Sequence, residues 1–263
     1  MSTILQITDT HIVGDGALVS RRLETSSALT HLIERIVSIR HQIGVIDAVL
    51  VTGDLSDDGS KVSYEKFKDL LAPLDLPLLV IPGNHDVREP MRAAFVTQFT
   101  SNGPLNWVNQ VGDLTIIGLD TLVEGTGKGT LSTQTLDFLE TTLANAHNKP
   151  ILLAMHHPPF LSGINFMDNI GLTNRDAFCD IVSCHIGPMR IVCGHIHSMM
   201  ITDVGGHTAI SAPSPCSTFN YDIRDCAPIG FMVQEDGCLL HKWSTVFQTI
   251  RIGPGIGTGP FQF

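Results

Sequence analysis

Short apolar runs that stop on Asp, Asn or His recur along the 263-residue chain, and they constrain its fold more than any other feature. Residues 4–8, 46–52, 78–81, 114–119, 151–155 and 189–193 are rich in Val, Ile and Leu, and their lengths suit buried strands rather than helices. Between several of them lie stretches with apolar residues at helical spacing. These are 24–44, carrying Leu29, Leu32, Ile33, Ile36 and Val37, then 61–71, 132–146 and 174–184. Continuous apolar strands alternating with amphipathic helices predict an α/β fold, with buried sheets covered by helices. After residue 198 the pattern changes to strand candidates 199–204, 207–211, 229–235 and 238–244, with Gly205-Gly206 and Asp236-Gly237 as hairpin signals. The Gly/Pro-rich end, 252–260, reads as an extended tail. No Gly/Ser-rich linker divides the chain. A single domain over 1–263 is therefore expected, with 199–263 as its strand-rich C-terminal part.

The residues that end the runs carry the chemistry. They are Asp9 and His11, Asp54, Asn84-His85-Asp86, His156-His157, and His195 with His197. In open α/β folds ligands collect at the carboxyl ends of strands, and five separate strand ends deliver Asp, Asn or His here. Asp9 and His11, two apart on a strand, would share one face, as would His195 and His197. Three consecutive side chains such as Asn84, His85 and Asp86 cannot all point at one ion. Mixed oxygen and imidazole donors without thiolate suit Fe, Mn, Zn or Co better than Cu(I), Ca or Mg.

Composition narrows the partners. Apolar residues make up 43% and charged residues 16%, a globular balance. The net charge of −10 disfavours a nucleic-acid polymer, whose phosphates call for a basic surface. A small phosphate ester remains compatible, because bound cations reverse the sign of a pocket locally. No apolar run is long enough to span a membrane and the start has no signal-peptide pattern, so no membrane contact and a cytoplasmic location are expected. The six cysteines, all between 179 and 238, form no CxxC pair and read as reduced thiols, unless a bridge forms through Cys216 or Cys226.

Taken together, D-x-H (Asp9, His11), G-D (Gly53-Asp54), G-N-H-D (83–86), M-H-H (155–157) and G-H-x-H (194–197) resemble the calcineurin-like metallophosphoesterase superfamily over residues 8–198. The stretches GKGTLS (127–132), HHPP (156–159) and APS (212–214) are most similar to its bacterial cyclic-nucleotide phosphodiesterases and glycerophosphodiesterase-type enzymes. The resemblance implies a four-layer αββα sandwich of two mixed sheets, and two transition-metal ions. Asp9, His11, Asp54 and His197 would hold one ion; Asp54, Asn84, His156 and His195 would hold the other, with Asp54 bridging. Two divalent ions less two carboxylates and one hydroxide leave a charge of about +1, which matches a phosphodiester. The expected reaction is hydrolysis of a small phosphodiester by a metal-bridging hydroxide. Asp54 and Asn84 would shape the metal site, and His85 would act as acid or oxyanion stabiliser. His157 would either touch substrate or, with Pro158 after it, only shape the turn.

Asp86 is expected to orient a ligand, and the apolar stretch 160–172 to form a lid, a pocket wall or core. Arg21 and Arg22, and the histidines outside the motifs, read as surface or packing residues. Protein phosphatases of the superfamily carry an Arg where Asp58 stands here, which counts against that activity. The resemblance is also compatible with a metal-dependent phosphomonoesterase or a non-catalytic scaffold of the same fold. A homo-oligomer is the expected assembly.

Overall fold

The structure, a computed structural model, describes residues 1–14, 16–253, 255 and 261. Its strands are β1 Ser2–Ile7, β2 Ala48–Thr52, β3 Leu78–Ile81, β4 Trp107–Val111, β5 Leu114–Gly118, β6 Ile151–Ala154, β7 Met189–Cys193, β8 Met200–Val204, β9 His207–Ser211, β10 Ser217–Thr218, β11 Met232–Val233, β12 Cys238–Trp243 and β13 Phe247–Ile252. The helices are α1 Thr25–Ile43, α2 Lys61–Leu71, α3 Arg88–Ala94, α4 Thr133–Ala146, α5 Asn165–Asn169 and α6 Arg175–Ser183.

Two mixed sheets carry the architecture. The first runs β13-β12-β1-β2-β3, with β1, β2 and β3 parallel and β12 and β13 antiparallel. The second runs β4-β5-β6-β7-β9-β8, parallel from β5 to β9 with an antiparallel strand at each edge. Every residue of β1, β2, β5 and β6 is buried, as runs without polar alternation require. The period of two assigns the layers of the second sheet. Ile116, Leu152 and Val192 face the first sheet, where they join Ile4, Leu5 and Val51 in one core. Their neighbours Ile117, Leu153 and Ile191 turn the other way, against Leu139 and Leu143 of α4 and Phe178 and Val182 of α6. On the far side of the first sheet, α1 buries Leu29, Leu32, Ile33 and Ile36, and α2 buries Tyr64 and Phe67. The order is helices, sheet, sheet, helices, as expected.

Both helices that begin on Ser are capped. Ser60 accepts from the Ser63 N–H at α2, and Ser132 from the Thr135 N–H at α4. The stretch 199–263 is shared between the sheets, with β8 and β9 in the second and β12 and β13 in the first. Gly205-Gly206 makes the expected hairpin between β8 and β9. Asp236-Gly237 does not join its two strands into one: β11 pairs with β10, while β12 pairs with β1 and β13. Leu239 and Leu240 are buried in the sandwich, whereas Met232 and Val233 are exposed, so the two segments part at this turn. Helices α3 and α5 and strands β4, β10 and β13 carry patterns too short or too polar to read in advance. The Gly/Pro tail at 252–260 falls largely outside the described residues. All six cysteines are free thiols, as their spacing predicts. Among the described residues, no helix is long and apolar enough to cross a membrane.

Candidate metal centre

The carboxyl ends of β1, β2 and β3 in one sheet, and of β6 and β7 in the other, open onto the same edge of the sandwich. Asp9 and His11 follow β1, Asp54 follows β2, Asn84 and His85 follow β3, His156 follows β6, and His195 and His197 follow β7. Asp9, Asp54, His156, His195 and His197 are all at least nine-tenths buried.

Asp9 and His11 do not sit on the strand, contrary to the period-two expectation. β1 ends at Ile7, and both residues take left-handed backbone, with φ of 52° and 45°. Asp54 (50°), His195 (70°) and His197 (50°) do the same. Asp and His are among the residue types that tolerate this region best, at about 1–3 kcal/mol each. The turns lock to each other: the Asp9 N–H donates to the Gly53 carbonyl and the His11 N–H to the Asp54 carbonyl. Close packing accounts for the motif glycines. A Cβ on Gly83 would lie 2.2 Å from Asp54 Oδ1, and one on Gly194 would lie 2.0 Å from Thr8 Oγ1.

The imidazoles are oriented from behind. His156 Nδ1 lies 2.8 Å from the Thr52 carbonyl, which only accepts, so Nδ1 carries the hydrogen and Nε2 faces the centre. His11 Nδ1 is held by Asp57 Oδ1 at 3.1 Å, and His197 Nδ1 meets Ser217 Oγ at 2.8 Å. The atoms that face inward form two overlapping groups. His11 Nε2 and His197 Nε2 are 3.3 Å apart, and Asp9 Oδ1 lies 3.4 Å from the latter. Asn84 Oδ1 lies 3.1 Å from His156 Nε2 and 2.9 Å from His195 Nδ1. Asp54 accepts the His85 N–H through Oδ1 and turns Oδ2 between the groups, 3.4 Å from His156 Nε2 and 3.7 Å from His11 Nε2.

This donor set fits cations. Two imidazole nitrogens face each other, an amide oxygen faces two more, and buried His195 Nε2 has no hydrogen-bond partner among the described residues. Lone pairs placed against lone pairs are costly unless a proton or a cation lies between them. Asp9, His11 and His197, and Asp9, Asp54 and His156, each bring ligand atoms within 4.8 Å of one another. The electrostatics run in the same sense. Burial raises the Asp54 carboxyl, but the neighbouring His156, His85 and His11 outweigh it and hold it well below the usual range. Burial opposes charge on His156, yet Asp54 and Asp9 push its pKa up to about 9.

His85 lines the cavity in front of these donors, and its Nδ1 lies 3.2 Å from both the Asp57 carbonyl and Asp57 Oδ1. Burial works against its charge, but the Asp57 bond and the charges of Asp54 and Asp57 raise its pKa to about 10. Asp57 lies outside the five motifs read as the site, although it matches the second Asp of the phosphatase pattern G-D-x-x-D-R-G whose Arg position Asp58 fills. Its signal is a second carboxylate three residues after Asp54 in the same turn. His157, expected at the substrate, does not line the cavity. It is fully buried, with Nδ1 2.8 Å from Thr121 Oγ1 and Nε2 3.0 Å from the Gly127 carbonyl. Burial, then the charge of His156, lowers its pKa to about 3. Asp86 ties two loops together, accepting N–H groups of Leu55, Ser56 and Gly83 and the Tyr64 hydroxyl. Asp58, where phosphatases have Arg, is occupied with Ser56, Ser60 and Ser63 at the start of α2. Helix α5, within the 160–172 stretch, contributes Phe166 and Met167 to the cavity wall.

Fold and site together define a metallophosphoesterase. The calcineurin-like phosphoesterase family matches residues 2–199, and the chain belongs to that family. Among its relatives is a probable glycerophosphodiester phosphodiesterase of Arcobacter nitrofigilis, 32% identical over 98% of this chain and 96% of its own. A 3',5'-cyclic adenosine monophosphate phosphodiesterase of Pseudomonas aeruginosa is 32% identical over 82% of this chain and 77% of its own. The crystal structure of a dimetal phosphatase from Danio rerio shares the fold, with a TM-score of 0.65 at 14% identity, covering 95% of this chain and 98% of that one.

Proposed function

We propose that this phosphoesterase hydrolyses small phosphodiesters, cyclic nucleotides or glycerophosphodiesters, with two transition-metal ions of the Fe, Mn, Zn or Co kind. Asp9, His11, Asp54 and His197 would hold one ion, and Asp54, Asn84, His156 and His195 the other. The observation that carries this reading is the position of Asp54 Oδ2 between the inward nitrogens of His156 and His11. Bound there, the ions would supply Lewis acidity to the phosphoryl oxygens and lower the pKa of an attacking water.

The chain's own residues do the rest. The Asp57 carbonyl fixes the hydrogen of His85 on Nδ1, so Nε2 is the nitrogen left for substrate. Asp57 favours the protonated imidazole, whose Nε2–H can stabilise a phosphoryl oxygen or donate to the departing alkoxide. Asn84 brings an oxygen donor without a negative charge, which keeps repulsion of an anionic diester low. His157 braces His156 and His195 from behind, with ring centroids 4.9 and 4.5 Å away.

Assay of the manganese-loaded protein on 3',5'-cAMP, 2',3'-cAMP and glycerophosphocholine tests the reading. Turnover of at least one is expected. A protein that binds no metal and leaves bis(p-nitrophenyl) phosphate intact is a scaffold and not an enzyme.

A further inference from the structure

The cavity in front of the candidate donors has a volume of about 330 Å³, and its two sides differ in chemistry. One side is the cluster of His, Asp and Asn. The other is apolar, built from Phe166, Met167 and Ile170 around α5, Phe219 after β10, and Phe231 before β11. The aromatic wall starts at the cluster itself, since the Phe219 ring lies 4.9 Å from the ring of His197. Phe166 continues it, 6.5 Å from Phe219 at an interplanar angle of 54°. A second cavity, of about 380 Å³, lies against the same Phe166, Phe219 and Phe231 and adds the side-chain amides of Asn169 and Asn220.

We propose that Phe166, Phe219 and Phe231 determine specificity by receiving the alcohol arm of the ester, and that the arm they select is flat and aromatic, as in a nucleoside. This rests on the diesterase reading above. A glycerol arm offers these rings no flat face, so it gains no stacking from the wall. A cationic arm meets carboxylates already engaged, Asp222 by Arg224 and Asp225 by the Asn165 amide, so its attraction is to the ring faces, and phosphocholine tests for it. A nucleobase, by contrast, stacks on tilted phenyl rings whatever its identity.

The test is calorimetric titration of the manganese-loaded full chain with AMP, glycerol 3-phosphate, phosphocholine and inorganic phosphate. Wild type, Phe166→Ala, Phe231→Ala and Phe166→Trp are compared; Phe219 is left intact because it touches His197. AMP should bind about tenfold more tightly than glycerol 3-phosphate or phosphocholine. Each Ala variant should lower the AMP-to-phosphate affinity ratio by about tenfold, and Phe166→Trp should restore it. Equal binding of AMP and glycerol 3-phosphate, a preference for phosphocholine, absence of AMP binding, or an unchanged ratio in both Ala variants overturns the proposal. The two readings fail separately. A protein that binds AMP through the wall but turns over no diester loses the diesterase reading. One that hydrolyses cAMP and glycerophosphocholine with equal sensitivity to Phe166→Ala loses the wall.

Discussion

Asp57 Oδ1 lies 3.2 Å from Nδ1 of His85 and 3.1 Å from Nδ1 of His11, so one carboxylate steadies both a candidate metal ligand and the imidazole proposed to face substrate. Asp57 also raises the pKa of His85, and its loss lowers it. Asp57→Asn should cut kcat by about 10²-fold. The alkaline limb of the pH–rate profile should move to lower pH, because the His85 proton is then lost earlier. A limb that stays in place would remove His85 from proton transfer.

Asn84→Asp adds a negative charge where Asn84 Oδ1 now meets His156 and His195. Metal content, read by elemental analysis, should be retained, while KM for an anionic diester rises several-fold. An unaltered KM would contradict the charge argument.

Gly83→Ala places a methyl group 2.2 Å from Asp54 Oδ1. Overpacking of that kind costs about 1–3 kcal/mol. Here it displaces the carboxylate between the two donor groups, so metal affinity and turnover should both fall at least tenfold. Competition with a chromophoric chelator measures the affinity.

Stripping the ions with a chelator leaves the inward-facing nitrogens and oxygens unpaired. The melting temperature should fall, and manganese should restore it in a concentration-dependent way. Saturation at 1,000 times Kd is worth about 4 kcal/mol per site. A chelator-insensitive melting curve would mean that no ion is held.

His241 sets a separate pH dependence. It is 1% exposed, with Nε2 2.9 Å from Gln6 Oε1 and Nδ1 2.9 Å from Thr249 Oγ1. Burial, then the charge of Arg190, lowers its pKa to about 3. The unfolded chain takes up a proton there near pH 6.5 and the folded chain does not. The contribution of His241 is therefore complete above pH 6.5 and is lost as pH falls towards 3. Between pH 6.5 and 5, urea unfolding of the chelator-treated protein should show wild type losing about 2 kcal/mol more than His241→Gln.

Much of the framework was legible in the sequence because burial on both faces leaves continuous apolar runs, as in β2 and β6. The candidate donors were legible because strand ends force them into loops at fixed offsets from those runs. What escaped depends on long-range geometry. The backbone of Asp9 and His11 is set by bonds to Gly53 and Asp54 some 44 and 43 residues away, which no strand periodicity encodes. His157 looked like a substrate contact because it adjoins His156, yet Thr121 and Gly127 turn its ring inward. Asp57 lacked a motif of its own, and its role emerges only when the His85 loop folds over it. The short elements α3 and α5 offered less than two turns of periodicity.

Asp9, His11, Asp54 and Asn84 hang from one sheet, whereas His156, His195 and His197 hang from the other. Neither half alone holds a complete set of donors. High-affinity uptake of the proposed ions would therefore come late, after the halves have docked, and the ions would then rivet the seam. A partly folded chain would not retain them tightly, so cofactor loading would double as a check that folding is finished.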